Sequence, residues 1–474
     1  MAPIDFFKAF VNCITDRSWW WRVWTVQEFY LPQRVQFQIG LRRIPLEEFD
    51  LVFQVLTSAY KSTFGRTDEQ YLAETRWING FDRITQMLNL RRGRQIDIFG
   101  NNGLYEVLCR TYCPFRFQES DTYLLKATCR IDQIYGLVAL YDDFDVLGLT
   151  IDYRKTWQEV YSDVAQSLIL TDNMDVLAFC QRENASQSST LPSWVPIWHE
   201  QFDTPHAWWK APRKPDLSAL GNSLFSAASN FTVEVSFETT VNTSGQSTRS
   251  MQIEGVFVDE VSEIKSQYFR AASIHYTEKK EFVYVLYGML LGEIQALCDL
   301  SRSLKNAKYT PTSLQDAAWR IPVWDHEIQE DASWTRAGEA TRLRYQQCMP
   351  VYETVQKHMD QVKLSADSSK VLQFPLLQLG AQINEILRQY MSPIILGRPS
   401  KPFMTRNGYL GMGPASMEPT DSVCLLFGAR VPCVLRKRPG EEGGYVFVGE
   451  AFVYGIMDGE FLREDQLSTT FEIF

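Results

Sequence analysis

The sequence predicts a mixed α/β protein in which helices dominate the first 200 residues and strands dominate the end of the chain. Three observations carry this reading. Trp157, Val160, Tyr161, Val164, Ala165 and Leu168 recur at helical spacing. Phe231, Val233, Val235 and Phe237 alternate with period two, and after the turn-rich residues 242–248 come Met251, Ile253 and Val256, the pattern of a hairpin with a long loop. Four short apolar runs, 422–427, 431–436, 445–448 and 452–454, are separated by Gly and Pro, the punctuation of a small antiparallel sheet or barrel.

The elements follow in order. Phe6, Phe7, Phe10, Val11 and Ile14 read as a first helix. Asp16 or Ser18 can cap a second helix carrying Trp19, Trp20, Trp21 and Trp24, which Pro32 ends. Residues 35–39 alternate as a strand and Gly40 opens a turn; Pro45 then starts a helix at a tolerated first-turn position. Residues 68–90 read as a long helix. Ile134, Leu137, Val138 and Leu140 make one helix face, and Tyr153 sits in a short extended piece. Residues 184–190 are a polar linker. Pro192 and Pro196 bar a helix from 191–198, which is extended and packed by Trp194 and Trp198. Residues 210–223 mark a second boundary. Helices are expected over about 278–300 and 330–362. The organisation expected is a partial, mostly helical α/β region over 1–183, a linker with the Trp/Pro-rich extended segment over 184–223, and an α+β module over 224–474. Its strands fall at 231–258 and 422–454 and its helices at about 278–362. No internal repeat is evident.

Composition narrows the function classes. Apolar residues are 45% and charged residues 22%, which supports a real core. The net charge of −10 argues against holding nucleic-acid phosphates. Arg91, Arg92 and Arg94, like Arg436, Lys437 and Arg438, read as solvated loop or strand-end charge. Nine Cys and five His are scattered, and no two Cys show CxxC spacing, so no metal site is expected. The thiols read as reduced, in a cytoplasmic compartment. No secretory signal opens the chain, and the apolar run 282–291, between Glu281 and Glu293, is too short to span a bilayer and reads as a buried helix. Gly411, Met412 and Gly413 are not a dinucleotide fingerprint, because Ser416 stands where the third glycine would be; they read as a turn before a strand, and no cofactor is expected. Ser193 lacks the flanking glycines of a nucleophile elbow, and Asp458 with Glu460 reads as a solvated hairpin tip.

Four segments in order resemble the fungal heterokaryon-incompatibility (HET) family. Arg17-Ser-Trp-Trp-Trp-Arg22-Val-Trp24-Thr-Val-Gln27-Glu28 resembles the family's Trp-x-x-Arg-x-Trp-x-x-Gln-Glu helix. Residues 127–137 resemble its Thr-Asp-Pro-Arg-Asp-Lys-Ile-Tyr-Gly-Leu-Leu segment, with departures at Cys129 and Gln133 and the Arg displaced by one. Asp152-Tyr153 followed by Glu159-Val-Tyr161, and Leu191-Pro-Ser-Trp-Val-Pro196, are similar to the family's next two segments. Downstream, Gly408 to Pro414, Asp421, Gly428, residues 432–436, residues 445–450 and Gly455 to Glu460 resemble the C-terminal module of long members, with Tyr454 where a His is common. Family domains begin with strands and an aromatic segment about a hundred residues before the Trp/Glu helix. This chain starts almost at that helix, so the N-terminal half of the domain is expected to be absent.

The resemblance implies three functions. The first is non-self recognition or regulation of cell death through protein contacts. The second follows from the likeness of the HET fold to TIR domains, some of which cleave NAD with a Glu in a Trp-Cys-x-x-Glu helix. Trp24-Thr-Val-Gln-Glu28 has that spacing, with Thr25 for Cys, and places Trp24 and Glu28 on one helix face. A carboxylate beside an indole can stabilise an oxocarbenium-like cation and orient water. Against this, Glu28 can simply pair with Arg22, and Trp19, Trp20 and Trp24 can simply be core. The third is a repurposed enzyme of fungal secondary metabolism with an aromatic-lined pocket. Expected partners are therefore a protein or a small-molecule ligand, with no nucleic acid and no membrane span.

Overall fold

The computed structural model describes residues 17–64, 103–112, 125–141, 145–182, 191–200, 224–228, 231–241, 247–265, 280–329, 334–365, 400–439, 443–463 and 467–474, with 13, 14, 83–85, 87, 88, 91, 92, 202, 386 and 389–391. The expected first helix (apart from its end), most of the helix over 68–90, the linker 184–190 and the boundary 210–223 lie outside these residues.

The tryptophan cluster divides into two pieces instead of forming one helix. Ser18–Trp21 is a 3-10 turn, Arg22 is extended, and α1 runs Val23–Tyr30. Ser18 caps nothing: the residue before α1 is Arg22, which gives no side-chain cap. The other end of α1 is held from a distance. Arg91 donates to the carbonyls of Phe29 (2.5 Å), Tyr30 (3.2 Å), Pro32 (2.6 Å) and Gln33 (3.1 Å), so it satisfies oxygens that a helix end leaves without partners. Arg91 is buried, which corrects its reading as solvated charge. Its neighbour Arg92 pairs with Asp50.

A hairpin follows, β1 (Gln36–Ile39) and β2 (Arg42–Pro45), with Ile39 opposite Arg42. Pro45 closes β2 and does not open the helix. The helix α2 (Leu46–Phe64) begins one residue later, where the Leu46 amide donates to Val35 O at 3.1 Å. Phe49 and Phe53 of α2 bury with Trp20, Phe29, Ile84, Met87 and Leu88 in a small core.

Then come α3 (Leu104–Tyr112), α4 (Asp132–Tyr135) and α5 (Trp157–Leu170). The apolar face 134–140 is split between α4 and a 3-10 turn at Val138–Leu140, and Tyr153 lies in a turn, not an extended piece. Thr156 and Glu159 form a capping box that starts α5. A 3-10 turn, Met174–Phe179, follows it.

The expected hairpin is present as β3 (Val235–Val241) and β4 (Ser247–Ile264), antiparallel from Val235↔Ile253 to Val241↔Ser247. Next are α6 (Lys280–Ser303), α7 (Pro311–Arg320), the short pair β5 (His326–Ile328) and β6 (Trp334–Arg336), and α8 (Glu339–Ser365). The expected helix over 330–362 thus starts later, because 334–336 pair with 326–328. The remaining strands are β7 (Ser400–Thr405), β8 (Leu410–Pro414), β9 (Ser422–Leu426), β10 (Cys433–Lys437), β11 (Tyr445–Glu450), β12 (Phe452–Val453) and β13 (Thr469–Ile473).

β4 organises the sheet. Its 18 residues meet β3 and β13 at the start, β9 in the middle and β7 at the end, with register shifts at 257/259 and 261/263. The path β4–β13–β11–β10–β9 returns to β4, so five strands close on themselves, while β7, β8 and β12 extend from the far end of β4. Bulges of this kind bend a strand enough to close a sheet. Among the described strands of this sheet, the pairings are antiparallel except β11 with β13.

β9, β10 and β11 are buried on both faces along most of their length, while β13 and the start of β4 bury one. Met251, Ile253, Cys424, Leu426, Cys433, Leu435, Phe447, Phe471 and Ile473 join one core with Val23, Tyr161, Leu168, Trp194 and Trp198 from the N-terminal half. The intervening residues Val423, Leu425, Val434 and Val448 join a second core with Val258, Val261, Phe403 and Val453. On β7, β8 and β12 the residues Met404, Leu410, Met412 and Phe452 pack with α6 and α7 through Leu290, Ile294, Leu297, Leu314 and Trp319. The later part of the 282–291 run, Leu290 and Leu291, is buried as expected.

Two glycines mark where strands come too close for a side chain. Gly255 pairs with Thr469 on one side and Leu426 on the other, and a Cβ there would sit 2.4 Å from Leu425 O. Gly411 lies inside β8 between Phe403 and Val453, where a Cβ would meet Phe452 O at 2.1 Å. Gly411 to Gly413 are therefore strand, and the turn expected from their composition is corrected: here glycine serves close backbone approach.

Gly255→Ala forces backbone apart at barrel closure. It is expected to cost about 1–3 kcal/mol of unfolding free energy in urea titration, the range for overpacking. A cost near zero would show that β4 and β9 are not held at this spacing.

Candidate functional site

The two residues singled out by the sequence, Trp24 and Glu28, do share α1, but each looks to a different neighbourhood. Trp24 is half-buried against the large core that joins the two halves of the chain. Glu28 is exposed, and its carboxylate accepts a 2.9 Å hydrogen bond from the indole N–H of Trp19. Trp19 in turn lies edge-on to Trp20 at 4.8 Å and to Phe29 at 6.2 Å. The pairing of Glu28 with Arg22 does not occur: among the described residues Arg22 forms no ion pair, and its backbone bridges to Lys126. Glu28 is thus a solvated carboxylate with one neutral donor. No second titratable side chain touches it among the described residues.

The other resemblance segments converge around α1 and α5. The Val23 amide donates to Lys126 O (3.1 Å) and the Lys126 amide to Trp21 O (2.6 Å). Gln133, buried, donates to Leu125 O (2.6 Å), and the Tyr112 hydroxyl lies 2.7 Å from its side-chain oxygen. The Tyr135 hydroxyl donates to Thr150 O (3.2 Å) and accepts from the Asp152 amide (3.1 Å). Tyr153 donates to Asp132 at 3.0 Å, and burial together with that carboxylate pushes its phenol up to about 12. Glu159 is the partner of Thr156 in the capping box. Every one of these side chains closes a backbone or side-chain bond within the fold.

His199, just beyond the Leu-Pro-Ser-Trp-Val-Pro segment, completes this cluster. The Tyr161 hydroxyl donates to Arg130 O at 2.8 Å, which leaves its oxygen to accept from His199 Nδ1 at 3.3 Å. Trp157 meets the imidazole edge-on at 4.7 Å, and the Arg130 guanidinium lies over Trp157 at 5.2 Å. Burial, then the Arg130 charge, brings the His199 pKa down to about 4. Burial also raises the Tyr161 phenol. At neutral pH the imidazole and both phenols are uncharged, an arrangement that rigidifies more readily than it transfers protons. Nothing in the spacing of the five histidines singles out His199. The signal was its place beside a proline-rich, Trp-rich segment.

Ser193 has a structural duty instead of a nucleophilic one. Its hydroxyl donates to Phe474 O and accepts from the Phe447 amide at 2.8 Å, and its amide donates to Phe474 O at 2.8 Å. The segment 191–198 is thereby tied to β11 and to the chain's last residue.

The C-terminal segments show the same economy. Arg436 holds Asp421 with two bonds (2.8 and 3.0 Å), Glu418 (2.9 Å) and Ser416 O (2.8 Å). Asp421 is buried, so Arg436 is a buried-pair partner and not the solvated charge its sequence suggested. Asp458, read as a solvated tip, pairs with Arg336 at 2.9 Å. Arg336 and Arg320 also hold buried Asp325, whose carboxyl is pushed up by burial despite both guanidinium groups. Sequence reading missed this network, since its members are far apart in the chain. Seven cysteines among the described residues are free thiols, and no group of three metal-ligating side chains occurs among those residues. No described helix is long and apolar enough to cross a membrane.

Two outcomes are expected. Arg436→Met strands a buried carboxylate and should cost about 3–5 kcal/mol in urea unfolding, while adding Asp421→Asn should recover part of it; additive losses would show that the pair is not coupled. The folded His199 pKa lies below its unfolded value of about 6.5, so the unfolded chain binds more protons. Its contribution to stability is complete above about 6.5 and falls away as pH drops towards 4. His199→Gln should flatten that part of the stability–pH curve; an unchanged slope would contradict the half-buried neutral imidazole.

The comparisons agree with this architecture. Residues 250–471 match the Het-6 beta-barrel domain family, which spans the closed strands and the helices packed on β7, β8 and β12. The chain is 26% identical over 483 residues to heterokaryon incompatibility protein 6, OR allele, of Neurospora crassa, covering 94% of this chain and 65% of the relative. It therefore spans a little under two thirds of that relative's length. No solved structure matches. Residues 250–471 thus match the Het-6 beta-barrel domain, and the chain as a whole is similar to a heterokaryon-incompatibility protein.

Proposed function

We propose that this chain serves in non-self recognition of the heterokaryon-incompatibility kind, acting through protein contacts. The similarity to an incompatibility protein along 94% of the chain is the observation that carries the reading. The geometry favours contact over catalysis. The resemblance segments spend their polar side chains on capping, bridging and docking, and Glu28 lacks a second acid, base or charged neighbour among the described residues. A carboxylate that works on a glycosidic bond ordinarily has a second group placed across from it. The competing enzyme reading rests on Glu28 beside the Trp19 indole, with Trp24 on the same helix.

Expression in a fungal host carrying an incompatible background tests the proposal. Growth arrest, with a bound protein recovered by pull-down, is the expected result; normal growth with nothing recovered would overturn it. In parallel, purified protein is incubated with NAD and nicotinamide is followed. No release is expected. Release that disappears in Glu28→Gln would transfer the function to NAD cleavage.

A further inference from the structure

Two of the described cysteines lie face to face. Cys424 of β9 and Cys433 of β10 are register partners in an antiparallel pair, so their side chains leave the same face of the sheet at the same level. The other described cysteines are Cys13, Cys129, Cys180, Cys298 and Cys348, and none of these lies in a strand.

The backbone sets the spacing of the pair. The Ala451 amide donates to Pro432 O at 2.8 Å, so Pro432 turns its carbonyl to β11. Its neighbour Cys433 therefore turns its own amide and carbonyl the other way, to β9. On the far side of β9 the Phe427 amide donates to Glu254 O at 2.9 Å. Three residues before Phe427, Cys424 turns its backbone away from β4 and towards β10. Cys424 and Cys433 are thus a hydrogen-bonded pair, whose Cα atoms stand about 5.5 Å apart. That matches the commonest Cα spacing of disulfides, about 5.5–6 Å. The Cβ atoms of opposite residues stand about 4.5–5.5 Å apart, and a disulfide holds them at about 3.5–4.5 Å. A bond here draws the strands slightly together, and such strain makes a disulfide easy to reduce again.

The pair is also sealed. Both thiols are buried with Met251, Leu426, Leu435 and Phe447 in the core that joins the two halves of the chain. Burial pushes the Cys424 thiol up, and the Cys433 thiol donates to Val431 O at 3.8 Å. Only a thiolate attacks a disulfide. In the closed barrel the two thiols are therefore inert, and reaction waits on the opening of β9 and β10.

We propose that Cys424 and Cys433 are a reversible redox pair: opening of β9 and β10 exposes both thiols to a low-molecular-weight disulfide, and the bond that forms ties the two strands together when the barrel closes. The exchange balances. One cysteine thiolate attacks a sulfur of the small disulfide, forms a mixed disulfide and expels one small thiolate. The second cysteine thiolate attacks the protein sulfur of that mixed disulfide and expels the other. Two protein thiols are oxidised, one small disulfide is reduced, and the protons lost by the cysteines are taken up by the two small thiolates.

The purified full chain is incubated with oxidised glutathione, alkylated and digested with trypsin. Cleavage after Arg406, Arg430 and Arg436 places Cys424 in 407–430 and Cys433 in 431–436. Mass spectrometry should find these two peptides joined, and dithiothreitol should separate them. The joined species should form more slowly than adducts on exposed Cys13 and Cys129, and faster in urea below the unfolding transition. The oxidised chain should show an unfolding constant about tenfold lower than the reduced chain, as a short closed loop gives, and dithiothreitol should abolish the difference. Cys433→Ala should show no such stabilisation on oxidation. Failure of the two peptides to join while Cys13 and Cys129 are modified would overturn the proposal, and this readout in the wild type needs no variant to fold. A joined species that unfolds as readily as the reduced chain, or an equal stabilisation of Cys433→Ala, would overturn it as well.

Discussion

The apolar contact between the N-terminal helices and the closed strands governs the rest of this structure. Met251, Ile253, Phe447, Phe471 and Ile473 from β4, β11 and β13 share one core with Tyr161, Leu168, Trp194 and Trp198. β9, β10 and β11 also bury Val423, Leu425, Val434 and Val448 on their other face, with Val258, Val261 and Phe403, while β13 keeps Thr469 and Thr470 exposed. A sheet so placed needs cover on both faces, and the helices of the first half supply one of them. Ser193 fixes the register of that cover by bonding both to β11 and to the last residue of the chain.

Seen from this contact, the family's marks are chiefly devices of assembly. Val23 locks α1 to Lys126, Gln133 ties α4 to the strand-like residues before it, Glu159 starts α5, and Arg436 clamps the loop between β8 and β9 through Asp421. A family can retain such residues because the fold fails without them, whatever its members do. Trp24 belongs with these. Glu28 stands apart, since its exposed carboxylate touches only an indole and contributes little to the core.

Periodic elements were legible in the sequence for a physical reason: one face of α5 and one face of the β3–β4 hairpin are buried while the other is wet. The strands 422–426 and 433–437 were legible as apolar runs between breakers. What escaped was set by distance. β13 read as nothing in particular because its main partner β4 lies more than a hundred residues away, and β7 because it joins distant β4 as well as its neighbour β8. Gly411 was read as a turn because glycine's two uses, turning and making room, look alike in one dimension. Arg91 and Arg436 looked solvated because a short basic run says nothing about the carbonyls or carboxylate that fold against it. Of the candidate site, the placement of Trp24 and Glu28 on one helix was legible, while Trp19 as the partner of Glu28 needed the 3-10 turn that swings it across nine residues.

A single shared core implies a single cooperative unit, and native-state hydrogen exchange reads this directly. The amides of Val23, Val164 and Ser193 in the first half, and of Phe447 and Phe471 in the strands, should open with one common free energy that equals global unfolding. If the first-half amides exchanged at a free energy several kcal/mol lower than the strands, the helices would be a separately melting layer, and the shared core would not be what holds the chain together.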